Sequence, residues 1–245
     1  MERSRRSKAS NIVLALDQLP CEPHETITES LKILEKVHEH ICALKLNYHL
    51  VLPFGLSNGV RRIVETAHNL DLPVIMDCKI NDIGYTNSAI AENLFKAGFD
   101  AVTANPFIGW EEGIQPVFKV AREMNRGVIL LVYMSHKASW EGYGQTVYDA
   151  ETGKPRANYL LFAEKALRWG ADGAVVGATY PEKIREVHAI LGDKVPIYSP
   201  GVGVQGGDAK SAVSLGARYL IVGRAITLSN KPEEVALNIK DAAKY

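Results

Sequence analysis

The stretch Ile75-Met76-Asp77-Cys78-Lys79-Ile80-Asn81-Asp82-Ile83-Gly84 carries three charged side chains where its apolar residues predict a buried strand. Residues two apart in a strand point to the same face, so Asp77 and Lys79 project together, while Asp82 lies beyond the expected strand end. An ion buried in a strand costs several kcal/mol unless it is paired. The cluster is therefore either an internal salt bridge or a functional site.

Length and composition leave two architectures open. The chain has 245 residues, of which 47% are hydrophobic and 23% charged, as in ordinary globular proteins. This length suits two small domains or one α/β barrel. Its 28 basic and 28 acidic residues balance, so nothing indicates a nucleic-acid partner. No apolar run approaches the roughly 18 residues of a membrane span, and we expect no membrane association.

The beginning of the chain and its cysteines suggest a cytoplasmic protein. Residues 1–10 are basic and lack the apolar stretch of a signal peptide, so we expect a flexible, solvated tail. The three cysteines, Cys21, Cys42 and Cys78, are widely spaced and form no metal-ligand pair. A reduced cytoplasmic setting fits this cysteine usage.

Apolar runs alternate with amphipathic stripes along the rest of the chain. The runs predict eight strands, over residues 11–17, 41–46, 73–79, 99–104, 127–132, 173–177, 196–199 and 218–223. The stripes predict helices, including one over residues 111–124 and one that begins at Pro181. No linker interrupts this alternation, which favours a single (β/α)8 TIM barrel over residues 11–245, with a doubly wound open sheet as the alternative.

A barrel also explains where the unusual polar residues fall. At or just past the predicted strand ends lie Asp17, Lys45, Asp77, Lys79, Ser135 and Arg224. In a barrel these carboxyl ends share one face, where active sites are built. Asp17 and Ser135 are adequately explained as solvated residues that merely begin a loop. The same explanation fits Lys45 and Lys79 poorly, because they lie among apolar neighbours. The polar, glycine-containing segment over residues 134–156 is long enough to predict a functional lid.

Two neighbouring loops predict a phosphate site. The loop over residues 199–208 is rich in glycine and precedes a helix, and Gly223-Arg224 follows the eighth strand. Barrels often bind phosphate in these two loops, because glycines let backbone N–H groups approach the anion. Arg224 supplies a planar fork that suits two phosphate oxygens. A phosphorylated ligand is therefore expected.

Lys79 requires a chemical role. A Schiff-base lysine needs a neutral amine, but Asp77 and Asp82 favour the ammonium form. Lys79 is therefore better suited to donate a proton than to attack a carbonyl. The two carboxylates are ligands that Mg²⁺ accepts, although an ammonium between them already supplies positive charge.

These motifs together resemble the orotidine 5′-monophosphate decarboxylase family, in register from about residue 11 to residue 232. The D-x-K-x-x-D array of Asp77, Lys79 and Asp82 is shared with related phosphosugar enzymes and is moderately specific. The run P-G-V-G-x-Q-G-G-D from Pro200 and the run M-S-H from Met134 are much more specific. The other matching residues are Ala15, Leu16, Asp17, Lys45, Ile83, Thr86, Val222, Gly223 and Arg224. The length and the compact lid are most similar to the archaeal branch.

The resemblance implies a charge network of Lys45, Asp77, Lys79 and Asp82 beside the reacting carbon. Asp82 would join this network from the neighbouring subunit, so the resemblance implies a homodimer. The implied substrate-binding residues are Asp17 and Lys45 at ribose hydroxyls, Ser135 at the pyrimidine edge, Ile83 and Thr86 from the neighbouring subunit, Gln205, Gly223 and Arg224 at the phosphate, and Pro200. Gln205 is also expected to bridge to Ser135, which would couple lid closure to phosphate binding.

The implied reaction converts orotidine 5′-monophosphate to uridine 5′-monophosphate, the last step of de novo pyrimidine nucleotide synthesis. Loss of CO₂ from carbon 6 would leave a carbanion that the ammonium of Lys79 stabilises and then protonates, with no cofactor and no metal. Repulsion between Asp77 and the departing carboxylate would raise the ground state, an explanation that is contested. Preorganised positive charge at the carbanion is the safer account.

Two other functions remain open. A Mg²⁺-dependent keto-sugar-phosphate decarboxylase or aldolase of the same superfamily shares the D-x-K-x-x-D array, but it places a metal-binding acid where this sequence has Lys45. A non-catalytic phosphate-binding barrel that regulates a partner is the other alternative. Such a protein would not need an intact charge network.

Overall fold

Parallel strands close into one barrel in the computed structural model, which describes residues 1–16, 23–57 and 59–244. The strands are β1 (Ile12–Leu16), β2 (Ala43–Asn47), β3 (Val74–Ile80), β4 (Ala101–Ala104), β5 (Gly127–Tyr133), β6 (Thr146–Asp149), β7 (Lys154–Ala157), β8 (Gly173–Val176), β9 (Ile197–Pro200) and β10 (Ala217–Val222). The barrel order is β1-β10-β9-β8-β5-β4-β3-β2, and β1 pairs with β2 to close it. The predicted TIM barrel is confirmed, and the open sheet is excluded.

Helices surround the barrel and connect its strands. They are α1 (Glu2–Ser7), α2 (Thr26–Val37), α3 (Tyr48–Val51), α4 (Gly59–Asn69), α5 (Gly84–Lys96), α6 (Gln115–Glu123), α7 (Asn158–Trp169), α8 (Pro181–Leu191), α9 (Ala209–Ser214), α10 (Arg224–Thr227) and α11 (Pro232–Ala242). In the described ranges no helix has the length and apolar character needed to cross a membrane.

Side chains of the barrel strands alternate between two apolar layers. Inward-pointing residues such as Val13, Ile75 and Ile129 fill the barrel. Their neighbours along the same strands, such as Leu14 and Met76, pack against the helices in a larger outer layer. This period of two places alternate residues of each strand in the interior, so a polar residue in the inner register faces the barrel axis.

Helix α1 covers the amino-terminal end of the barrel, where the sequence predicted a flexible, solvated tail. Glu2 accepts hydrogen bonds from Arg5 at 2.7 and 3.0 Å and from the Tyr219 hydroxyl at 3.2 Å. Ser4 is buried. The pairing of Glu2 with a barrel tyrosine is a tertiary contact, so the basic composition of the segment did not reveal it.

The helix predicted over residues 111–124 begins later, at Gln115. Glu111 and Glu112 have non-helical backbone angles, and φ of Glu112 is 52°. Pro116 explains the shift, because a proline fits the first turn of a helix but disrupts its interior. The β4–α6 connection is therefore an irregular turn, which lies beside the β3–α5 loop.

The predicted lid is anchored to the barrel and to α7, and most of its residues between 136 and 156 are exposed. Strands β6 and β7 form an antiparallel hairpin that the sequence did not predict. Tyr143 packs against Tyr133 and Phe162 with ring centroids 6.3 and 6.0 Å apart. Asn158 donates a hydrogen bond to the Gly142 carbonyl at 3.2 Å. The segment is thus anchored to α7, the helix that follows it.

Candidate active site

A cavity of about 180 Å³ opens at the carboxyl ends of the barrel strands. Its apolar lining includes Ala15, Leu131, Val175 and Ile221, from four different strands. The cavity also collects most of the residues predicted from the sequence, which are Lys45, Asp77, Lys79, Ser135, Pro200, Gln205, Gly223 and Arg224. Thr103, which the sequence did not indicate, lines it as well. The barrel therefore brings the predicted charges and the predicted phosphate loops into one space.

Asp77 joins two lysines at the base of this cavity. Lys45 Nζ lies 2.8 Å from Asp77 Oδ2, and Lys79 Nζ lies 2.8 Å from Asp77 Oδ1. The side chains of Lys45 and Asp77 are 8% and 13% exposed, whereas that of Lys79 is 33% exposed. Lys79 is thus the member of the group most open to a bound molecule.

The charges around Asp77 control its protonation. Burial raises the pKa of the Asp77 carboxyl, but the ammonium groups of Lys45 and Lys79 outweigh burial and hold that pKa well below its usual range. Asp77 is therefore an anion at neutral pH, and it offsets the two positive charges beside it.

A bulge in β3 explains how Lys79 reaches Asp77. Met76 pairs with Val102 and Ile80 with Ala104, so four steps along β3 match two along β4. Lys79 has φ of 48°, in the left-handed region that residues other than glycine rarely adopt. Such a conformation costs about 1–3 kcal/mol and is concentrated at functional sites. The bulge turns the Lys79 side chain back along the strand into the cavity.

The glycine-rich loop after β9 forms the opposite wall of the cavity. Positive φ angles occur at Gly201 (97°), Gly203 (83°) and Gly206 (90°), a region that favours glycine. The hydroxyl of Ser135 donates to Gln205 Oε1 at 3.3 Å, so the expected bridge between them is present. Arg224 begins α10 beside this loop, with its side chain exposed.

Asp82, Ile83 and Thr86 lie outside this cavity. Asp82 and Ile83 line a separate groove with Glu112 from the β4–α6 turn. Ile83 is 71% exposed, and two other apolar side chains near it in the chain or in the adjoining loop, Tyr85 and Phe107, are 88% and 70% exposed. Within one chain, the structure does not bring Asp82 to Lys79.

Asn87 is a buried polar residue whose role the sequence did not indicate. Its side chain accepts a hydrogen bond from the Asp82 N–H at 3.0 Å and donates to the carbonyls of Asp82 and Gly113. Asn87 is fully buried, so these bonds tie the β3–α5 loop to the β4–α6 turn. An asparagine in a helix usually indicates only a polar surface, and nothing in its spacing revealed this role.

Two further expectations concern Asp17 and the predicted lid. Asp17, expected at a ribose hydroxyl, lies outside the described residues. In the lid, Met134 and Ser135 line the cavity, whereas Trp140 is 63% exposed and is absent from its lining.

Across residues 1–16, 23–57 and 59–244, no three His, Cys, Asp or Glu side chains are grouped as metal ligands.

Residues 10–239 match the family model described as Orotidine 5′-phosphate decarboxylase / HUMPS family. The chain belongs to this family. The resemblance that the motifs predicted is thereby confirmed. The decarboxylase family model covers the barrel from two residues before β1 into α11.

Relatives within the decarboxylase family align over almost the entire chain. The orotidine 5′-phosphate decarboxylase of Methanosarcina mazei is 37% identical over 230 residues, which cover 94% of this chain and 93% of that protein. The enzyme of the same name from Thermococcus kodakarensis is 33% identical over 227 residues, or 93% of each chain. Archaeal relatives are thus among the matches, as the sequence predicted.

Solved structures of the decarboxylase family share this fold. The orotidine 5′-monophosphate decarboxylase of Methanocaldococcus jannaschii, complexed with the inhibitor BMP, has a TM-score of 0.81 at 31% identity and covers 96% of this chain and 99% of its own. The Pyrococcus horikoshii enzyme has a TM-score of 0.76 at 32% identity, with coverage of 95% and 98%.

Proposed function

We propose that this chain converts orotidine 5′-monophosphate to uridine 5′-monophosphate and CO₂. The observation that carries the proposal is the Lys45–Asp77–Lys79 array at the base of a cavity that Arg224 and Gln205 also line. The names of the aligned relatives support the same reaction. Residues 11–245 would form the single catalytic domain.

The cavity suits a nucleotide monophosphate bound in one direction. We assign the phosphate to Gln205, Gly223 and Arg224, because an arginine fork and glycine backbone N–H groups match its oxygens. Ser135 would contact the pyrimidine edge next to Gln205, and Lys45, with Asp17, would hold ribose hydroxyls. Pro200 lines the same wall of the cavity. The reacting carbon 6 would then lie over Lys79.

The proposed chemical step breaks the bond between carbon 6 and the carboxylate. The bonding electron pair stays on carbon 6, CO₂ leaves, and a proton from the Lys79 ammonium forms the new C–H bond. The resulting amine regains a proton from solvent. Positive charge fixed at carbon 6 before the reaction stabilises the carbanion, and the apolar lining strengthens this interaction by lowering the local dielectric constant.

Asp77 has two proposed effects. Its carboxylate accepts a hydrogen bond from Lys79 Nζ at 2.8 Å and so holds that ammonium in place in the cavity. It would also lie near the departing carboxylate, whose repulsion is relieved as CO₂ leaves. No cofactor is required in this scheme, because the ammonium groups supply the positive charge.

We further propose a homodimer in which Asp82, Ile83 and Thr86 enter the partner's cavity. Two observations support this arrangement. Asp82 is exposed and lies outside the cavity of its own chain. Ile83, Tyr85 and Phe107 are large apolar side chains that are at least 70% exposed, as expected of residues that a subunit interface covers.

The Mg²⁺-dependent reaction on a keto-sugar phosphate is the second candidate, because the family model spans both branches. Lys45 disfavours it. Its ammonium lies 2.8 Å from Asp77 Oδ2. A metal ion bound to that carboxylate would lie close to this ammonium, and the two positive charges would repel each other.

One assay tests the proposal against both alternatives. Orotidine 5′-monophosphate is followed spectrophotometrically with and without excess chelator, using the full chain and the Lys79→Ala variant. We expect turnover that chelator does not change and that Lys79→Ala lowers by at least roughly 10³-fold. Activity restored only by Mg²⁺ would support the keto-sugar branch. Absence of turnover in the full chain would support a non-catalytic barrel, and turnover unchanged in Lys79→Ala would refute the role assigned to Lys79.

The unphosphorylated nucleoside orotidine provides a second arm of this assay. Binding energy from a distant phosphate is used to order the site around the reacting carbon. We therefore expect orotidine to lose turnover as well as affinity. A change in KM alone would contradict the proposed use of the phosphate site.

A further inference from the structure

The bulge in β3 places the backbone N–H of Lys79 against a side chain of β4. This N–H donates to the hydroxyl oxygen of Thr103 at 2.9 Å. Thr103 occupies the register position that the bulge skips, since Met76 pairs with Val102 and Ile80 with Ala104. Thr103 is 3% exposed, so bulk water does not replace this bond.

The same hydroxyl also holds Asp77. Thr103 donates to Asp77 Oδ1 at 2.9 Å, and Lys79 Nζ donates to the same oxygen at 2.8 Å. Hydrogen bonds therefore link Lys79, Thr103 and Asp77 in a closed ring. It runs from the Lys79 backbone N–H through the Thr103 hydroxyl and the Asp77 carboxylate to the Lys79 side chain. Lys45 binds the other oxygen, Oδ2. Donors on β2, β3 and β4 together fix the plane of the carboxylate.

We propose that Thr103 is a positioning residue for decarboxylation, whose hydroxyl sets the orientation of the Asp77 carboxylate and the place of the Lys79 ammonium in the cavity. The inference rests on the proposed function, because that reaction defines which atoms must be positioned. A hydroxyl suits this task, since one group accepts from the N–H and donates to the carboxylate. Valine has nearly the same shape as threonine and does neither.

Thr103→Val and Thr103→Ser form a matched pair for the test. We expect Thr103→Val to lower kcat by roughly 10- to 100-fold, as small misplacements of reacting groups do. KM should change by less than about 3-fold, because the proposed phosphate contacts lie across the cavity. Thr103→Ser keeps the hydroxyl and should retain most of kcat.

A double-variant comparison separates positioning from general damage. If Thr103 acts through Asp77, adding Thr103→Val to Asp77→Asn should lower kcat by less than about 3-fold more. Equal kcat in wild type and Thr103→Val would overturn the proposal. A loss of kcat in Thr103→Ser as large as that in Thr103→Val would also overturn it. The same holds if the double variant loses kcat by the product of the factors of the two single variants.

Hydrogen exchange of the Lys79 amide tests the contact without any turnover. The amide should exchange faster in Thr103→Val than in wild type and should stay protected in Thr103→Ser. Unchanged protection in Thr103→Val contradicts the inference even if the chain is a decarboxylase. Absence of turnover in the wild type, together with the expected exchange pattern, would instead refute the proposed reaction and leave the Thr103 contact intact.

Discussion

Lys45 and Asp77 form a nearly buried ion pair, with 2.8 Å between Nζ and Oδ2 and side chains only 8% and 13% exposed. Lys45 reaches Asp77 from the neighbouring strand, since β2 and β3 pair in parallel and Asn47 lies opposite Asp77. Removing one partner of a buried pair leaves a charge without compensation, which costs more than the loss of a surface pair. The pair thus links the stability of the barrel to the site.

Replacing Lys45 should destabilise the fold measurably. We expect Lys45→Met to lower the free energy of unfolding by about 3 kcal/mol, at the low end for a broken buried pair, because Lys79 still compensates Asp77. Urea denaturation measures the change. Lys32→Met is the control, because its partner Glu29 lies 2.6 Å away at the surface and exposed pairs contribute at most about 1 kcal/mol. Equal losses in the two variants would show that burial does not strengthen the Lys45 pair.

Asp77 should also give the fold an acid-sensitive component. Its pKa is below the usual value in the folded state, so its charge stabilises the fold above the unfolded-state pKa of about 4. This stabilisation is lost as the pH falls from about 4 toward the folded-state pKa, by at most roughly 1.4 kcal/mol per pH unit. Asp77→Asn should therefore show a shallower loss of stability in acid, measured by denaturation between pH 6 and pH 3. Parallel curves for the two proteins would contradict the depressed pKa.

Asn87→Ala should loosen the loop that carries Asp82. The buried Gly113 carbonyl loses its donor, and an unsatisfied buried group costs about 1–3 kcal/mol. Activity should fall as well, because Asp82 loses its two bonds to the Asn87 side chain. Asn93→Ala on the exposed face of the same helix is the control and should change stability by less than about 0.5 kcal/mol. Native stability in Asn87→Ala would show that these bonds are dispensable.

The proposed shared site predicts recovery of activity in mixed dimers. Lys79→Ala and Asp82→Asn should each be nearly inactive alone. When they are co-expressed, one site of each mixed dimer regains both residues, so roughly a quarter of wild-type activity should return with random pairing. Lys79→Ala with Asp77→Asn is the control, since no pairing of those chains restores a complete site. No recovery in the first mixture would place Asp82 in the site of its own chain.

Helix α1 should contribute to stability and not to turnover. Deleting residues 1–8 removes the Glu2 carboxylate that accepts from the Tyr219 hydroxyl, and loss of such partners costs about 1–3 kcal/mol. None of these eight residues lines the cavity, so kcat should stay within about 2-fold of the wild type. Thermal unfolding and the decarboxylation assay measure the two effects. Arg3→Ala, on the exposed side of the helix, is the control. A lower kcat with unchanged stability in the deletion variant would contradict the prediction.

Much of the barrel was predictable because buried parallel strands are continuous apolar runs. The apolar residues of α4 follow the predicted stripe, with Val60, Ile63, Val64 and Ala67 all buried. The charged residues at strand ends were equally informative, since Lys45 and Asp77 have no reason to interrupt apolar runs unless they face a site. These features are local in the sequence, so they could be read without the structure.

The unpredicted features depend on contacts between distant segments. Thr103 looks like any strand threonine, and only the bulge in β3 turns its hydroxyl toward Asp77 and Lys79. The bulge itself has no sequence signal, because Lys79 adopts a backbone conformation that lysine rarely takes. Likewise, Glu2 binds Tyr219 across 217 positions of the chain. Such features depend on strand register and on contacts between residues far apart in the chain, and amino-acid composition does not indicate either.

The stacked rings of Tyr198 and Tyr219, with centroids 4.6 Å apart, close the barrel at the end opposite the cavity. Neither ring lines the cavity, and Glu2 of the amino-terminal helix completes this closure. A group of contacts that stabilises the barrel without lining the cavity therefore lies at the end opposite the proposed active site. Substitutions around Tyr198 and Tyr219 can therefore change the melting temperature without replacing any residue that lines the cavity.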